Sequence, residues 1–207
     1  MSHLKQDTTV AGIDVGGRKK GFHAVVLRSN EFTLYKHSDP AVIVKWVERN
    51  GAQVVAVDAP CEWSINGTSR LAEREMNKDR IKCFYTPSRE KAVNHNFYGW
   101  MLNGEALYKY LEKSSYKCNC GKNLPGRVYA ETFPHAIVRS HYGRNIPTGK
   151  KSAVRRKLLH SLGYNTQILT NIDYLDAALC AYTALQYTKN NTKHYGDIEE
   201  GFIIVPR

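Results

Sequence analysis

Nowhere in its 207 residues does this chain string together the ~18 consecutive apolar positions that a membrane-spanning helix requires. An integral helical membrane protein is thereby excluded. The opening stretch, Met1 to Val10, is polar and has none of the apolar character of a secretory leader, so a cytoplasmic setting is expected. Cysteines are few and odd in number, five scattered residues, which argues for reduced thiols over a disulfide framework. Only Cys118 and Cys120 lie close together, and a zinc site would want a second pair at similar spacing. A polar loop is the simpler reading there. Internal repeats and low-complexity tracts are absent, as is any Gly-x-Ser-x-Gly elbow, so covalent catalysis has no obvious anchor.

Acidic residues are also in short supply. Lys and Arg outnumber Asp and Glu by 30 to 19, a formal charge of +11. A sequence pI near 9.4 makes a nucleic-acid partner, DNA or RNA, worth considering. The 42% hydrophobic and 24% charged content is that of a folded domain with a real core. We read residues 1–207 as a single domain with a less regular helical insertion at about 61–123.

Apolar periodicity sets the element order. Val10 to Val15, Phe22 to Leu27 and Phe32 to Lys36 read as three strands joined by short links, an antiparallel meander. A helix opens at Asp39-Pro40 and stops at Gly51. Gln53 to Val57, rich in β-branched residues, suits a central strand covered on both faces. A long helix is expected from Lys91 to Glu112, a fifth strand from Gly126 to Thr132, and helices at Pro134–His141, Ser152–Leu162 and Ile172–Thr188. That order describes an α/β fold of the ribonuclease H-like kind. It has a mixed five-stranded sheet, three antiparallel strands followed by parallel ones, with helices on both faces.

Asp14 interrupts an apolar strand where Val or Ile would be more stabilising, and two glycines follow it. Asp58 ends the fourth strand and Glu131 the fifth. Asp173 and Asp176 lie three apart on the first turn of the last helix and so share a face, although Asp173 is also a natural helix N-cap. If strands one and four are neighbours, Asp14 and Asp58 are adjacent carboxylates whose repulsion calls for a cation. Oxygen-only clusters suit Mg²⁺ or Mn²⁺, and two such ions can hold the attacking and leaving oxygens of a phosphodiester.

Taken together, the stretches "GIDVGGRKKGF" (12–22), "VVAVDAPCEW" (54–63), Arg70–Glu73–Arg74, "YAETFPHAIV" (129–138), "NIDYLDAALCAYTA" (171–184) and "GDIEEGFIIVP" (196–206) resemble a known family. It is the predicted RNase H-like nuclease family, catalogued as domain of unknown function 429. The match runs in order from about Val10 to Pro206. The resemblance implies an RNase H-like core with a divalent-metal site at Asp14, Asp58, Glu131 and Asp176. Asp14 would bridge two ions, Asp58 and Asp176 would each hold one, and Glu131 would ligate or orient the attacking water. Asp173 becomes an auxiliary ligand, since the Asp173–Asp176 spacing is similar to that in the last helix of Holliday-junction resolvases.

Two other readings stay open. The Gly12–Gly17 stretch also resembles the first phosphate motif of sugar-kinase and actin-like ATPases, which need a second similar domain and a further glycine-rich loop. A non-catalytic basic module would instead track phosphates with Arg18, Lys19, Lys20, Lys150, Lys151, Arg155 and Arg156. Such runs are commonly no more than solvated faces.

Overall fold

The computed structural model describes residues 8–122 and 124–207. Three strands, β1 (Val10–Val15), β2 (Phe22–Arg28) and β3 (Glu31–His37), form the expected meander. Helix α1 (Pro40–Arg49) follows, started by Asp39, whose side chain accepts from the Ala41 amide at 2.8 Å. Then come β4 (Val54–Asp58), α2 (Leu71–Lys78) and α3 (Arg89–Val93). A 3₁₀ turn at Asn96–Tyr98 leads into α4 (Gly99–Lys113). The remaining elements are β5 (Lys117–Cys118), β6 (Val128–Thr132), α5 (Pro134–Tyr142), α6 (Lys151–Ser161), α7 (Ile172–Thr188), β7 (Thr192–Asp197) and β8 (Gly201–Pro206).

The sheet has eight strands rather than five. Its order is β3-β2-β1-β4-β6-β8-β7, with β5 beside β6. β1 pairs antiparallel with β2 and parallel with β4, as the strand pattern leads one to expect. The additional strands are the two-residue β5 and the terminal β7–β8 hairpin, with β8 joining β6 in parallel. The single long helix expected from Lys91 to Glu112 is broken into α3, the 3₁₀ turn and α4. His95 causes the break, with extended backbone and an Nδ1 that accepts from the Phe97 amide at 3.2 Å. Among the described residues no helix is long and apolar enough to cross a membrane.

Strand parity sorts the core into two faces. Val10 of β1, Val25 of β2, Ala56 of β4 and Ala130 of β6 pack with α5, α6 and α7. Ala11, Ile13 and Val15, with Val55 and Val57, pack with α1 and α4. Gly12 therefore points at α7, and the helix uses the space fully. A Cβ at residue 12 would lie 2.0 Å from the Ala177 carbonyl oxygen and 2.1 Å from the Ala181 nitrogen. On the helix side the contact is made by the small residues Ala177, Cys180 and Ala181, all fully buried.

Gly12→Ala should therefore force α7 off the sheet, lowering unfolding free energy in denaturant by about 3 kcal/mol or more. Gly17→Ala, where an added methyl meets nothing within 4 Å, should stay within about 0.5 kcal/mol. Equal effects at the two positions would contradict this packing.

Candidate metal centre

Two residues beyond Gly12 on the same face of β1 comes Asp14. Its parallel partner in β4 is Asp58, which shares that face because Val54 and Ala56 do. Two carboxylates thus stand side by side at the carboxyl ends of the central strands. From above, α7 brings two more. Its N-cap is Asn171, whose side chain accepts from the Tyr174 amide at 2.9 Å, so Asp173 is not the cap. Asp176 and Asp173 sit in the opening turns, about one and two turns before Cys180 and Ala181, which rest on Gly12. The positive end of the helix dipole favours their charge there.

Carboxylate oxygens of Asp14, Asp58 and Asp176 all lie within 4.8 Å of one another, and a second set, Asp14, His23 and Asp173, meets the same spacing. The two sets share Asp14. His23 is the cross-strand partner of Asp14 on β2, only 1% exposed, with its ring edge-on to Tyr174 and Nε2 3.8 Å from Asp173. Burial holds its imidazole below the usual range, hence neutral. The β1–β2 turn from Gly16 to Gly21 fixes this pairing. Counting outward from that turn would have located His23 in the sequence, where it went unremarked.

Crowding these acids away from water has a measurable consequence. Burial, outweighing the attraction of Lys20, pushes the Asp14 carboxyl up to about 7. Burial, then the neighbouring Asp14 and Asp176, pushes Asp58 well above its ordinary value. Burial also raises Asp176, against the pull of Arg155. Two cations answer the four acids. Lys20 donates to Asp173 at 2.7 Å and to Asp14 at 3.5 Å, and Arg155 forms an ion pair with Asp176. The aliphatic stem of Lys20 folds over Gly16, where a Cβ would lie 2.6–2.7 Å from it. Fully ionised, the four carboxylates and two cations leave two negative charges, the balance that a divalent ion supplies.

The other expected site residues lie outside the two ligand sets. Glu131 has the parity of Tyr129, which packs on the opposite face, and lies level with Val57 rather than Asp58. Its oxygens are taken by Arg70 at 2.6 and 2.8 Å and by the Cys61 amide at 2.8 Å. Arg70, itself 1% exposed, also donates to Glu73 at 2.9 Å. This buried network pins the 61–89 stretch to the sheet. Arg156 donates to the Thr166 and Leu169 carbonyls, at 2.6 and 2.7 Å, and so holds the loop before α7. Arg18, Lys19, Lys150 and Lys151 are exposed. Cys118 and Cys120 belong to none of the candidate ligand groups among the described residues.

By fold and site this is a mixed α/β protein carrying a largely buried carboxylate cluster that could hold a metal ion. The chain belongs to the family described as Protein of unknown function (DUF429), whose family model matches residues 12–200, a span that includes every carboxylate of the cluster. No curated protein matches it.

The raised Asp14 carboxyl binds its proton more tightly folded than unfolded. Its stabilising contribution is complete below about pH 4 and is lost as pH rises through about 7. Metal-free protein should thus lose about 2 kcal/mol of stability between about pH 5 and 8 through Asp14 alone. Asp14→Asn should remove that part of the slope in thermal melts. An identical pH profile for the variant would contradict the assignment.

Proposed function

We propose that this protein is a divalent-metal-dependent nuclease, hydrolysing phosphodiester bonds of nucleic acid on an RNase H-like fold. The observation that carries the reading is the pair of three-residue ligand sets sharing Asp14 at the ends of β1 and β4. The strand order, with β1 between an antiparallel β2 and a parallel β4, supports it.

The donor set fits the cation. Oxygen ligands from Asp14, Asp58 and Asp176 suit Mg²⁺ or Mn²⁺, and the second set adds Asp173 and the neutral His23 nitrogen, a donor Mn²⁺ accepts. Bound there, the ions neutralise phosphate charge and supply a water of lowered pKa. The chain's own groups do the rest. Asp14 spans both sets and holds them in register. With a cation held by the acids, Lys20 and Arg155 would be free to donate to a phosphate, Arg155 with the forked geometry that suits it. Glu131, bound to Arg70, lies outside both ligand sets.

An ATP-dependent phosphotransferase of the actin-like or sugar-kinase type needs two similar lobes, whereas the described strands form one sheet. A purely binding module gives no reason to crowd four acids in a chain this basic.

Incubation with labelled single-stranded, duplex and branched DNA and RNA tests the reading. Cleavage is expected with Mg²⁺ or Mn²⁺ and not with chelator. Asp14→Asn should reduce it by about three orders of magnitude, as expected when a group essential to positioning the metal is lost. Undiminished cleavage by that variant, or cleavage in chelator, would overturn the proposal.

A further inference from the structure

Exposed large apolar side chains cluster beside the carboxylates. Phe84 is 65% exposed, Tyr85 49% and Phe97 52%, and the Phe84 and Phe97 rings meet edge to face at 5.9 Å. Phe84 lines a narrow cavity with Asp58, Trp100 and Phe133, and a second cleft of about 360 Å³ with Lys82, His135, Lys151 and Arg155. The aromatic ridge therefore borders both the acid cluster and the cation paired with it. On its other side, Phe97 and Trp100 line a cleft of about 420 Å³ together with His95 and Arg18, from the turn that follows Asp14.

The same surface continues into a cleft of about 430 Å³ that nothing above explains. Its walls carry Lys78, Arg80, Arg139, Arg144, Lys193 and Arg207 against one acid, Asp79. That acid is already engaged by Lys193 and by the Tyr195 hydroxyl. Among the described residues Lys78, Arg80 and Arg144 make no ion pair, so their charge is available to a ligand. Two stretches join this cleft to the Phe84 cleft. The chain from Lys78 to Phe84 passes through both, and α5 carries His135 in one and Arg139, about 6 Å further along its axis, in the other.

We propose that the substrate is single-stranded nucleic acid, its backbone lying in the cleft of Lys78, Arg80 and Arg144 and its bases stacking on Phe84 and Phe97 as the strand approaches the carboxylates. A polyanion is the ligand that an almost uniformly basic cleft selects. Exposed aromatic faces add the requirement for bases free to stack, and in a duplex those faces are already occupied. Stacking is tolerant of base identity, so sequence preference is weak.

This inference rests on the nuclease reading only for what lies at the end of the track, and binding in chelator separates the two. Fluorescence anisotropy with labelled strands of about 20 nucleotides should show single strands bound at least about tenfold tighter than the duplex of the same sequence. Phe84→Ala should weaken single-strand binding about tenfold, while Phe84→Trp retains it. Phe84 is mostly exposed, so both variants should melt with the parent. Replacing Arg80 and Arg144 together by Ala should lower the salt slope for single strands by about 1.4, two phosphate contacts' worth. Duplex bound as tightly as single strand, or unchanged affinity in both Phe84→Ala and the Arg80/Arg144 double variant, would overturn the proposal even if metal-dependent cleavage is found. Single-strand binding without any cleavage would sink the nuclease reading and leave this one standing.

Discussion

Helix α7 can settle against β1 because residue 12 has no side chain, and that one close approach decides where two of the four acids go. With the Ala177 carbonyl and Ala181 nitrogen occupying the place of a Cβ, the axis of the helix is fixed along the strand. Asp176 and Asp173, one and two turns toward the N-terminus, then have to arrive over Asp14 and Asp58. The same approach buries the cluster, and burial is what raises the carboxyl pKa values. A site made this way is rigid, because its geometry belongs to the core rather than to a loop.

Stability and function pull against each other at this cluster. Lys20 and Arg155 occupy the acids, and the raised carboxyl pKa values let protons complete the neutralisation. The two counter-ions differ, Arg155 being buried beside Asp176. Lys20 remains 45% exposed at the side chain and is shared between two carboxylates, which leaves its ammonium easy to displace. The Arg70–Glu131–Glu73 network is the opposite case. Its charges are paired and hydrogen-bonded away from water, and removing one partner would strand the other. One buried ionic group is closed on itself, whereas the other keeps an exposed, shared ammonium.

The Asp14–Asp58 pairing was legible because three short-linked strands, a helix and a β-branched run leave β4 little choice but to join β1. The Asp173–Asp176 face was legible from helical spacing alone. Glu131 lies outside the two ligand sets and pairs with Arg70 instead. Strand ends look alike in sequence, but the register sets Glu131 level with Val57, with the parity of Tyr129. Arg155 was hidden in a basic run, yet Val154, Leu158 and Leu159 around it mark the buried face of α6, and that spacing is the signal for an inward arginine. Edge strand β7, with the polar sequence Thr-Lys-His-Tyr-Gly-Asp, has no apolar alternation to announce it. The basic cleft escaped notice because Lys78, Arg80, Arg139 and Arg144 come from two elements that only tertiary structure brings together.

Crystals grown or soaked with Mn²⁺, with data collected for anomalous scattering, test the central claim most directly. The account predicts a peak about 2.0–2.2 Å from oxygens of Asp14, Asp58 and Asp176. A second peak is expected toward His23 and Asp173, with Lys20 and Arg155 moved off the carboxylates. Density showing both cations still paired to the acids, with no anomalous peak between Asp14 and Asp58, would contradict it.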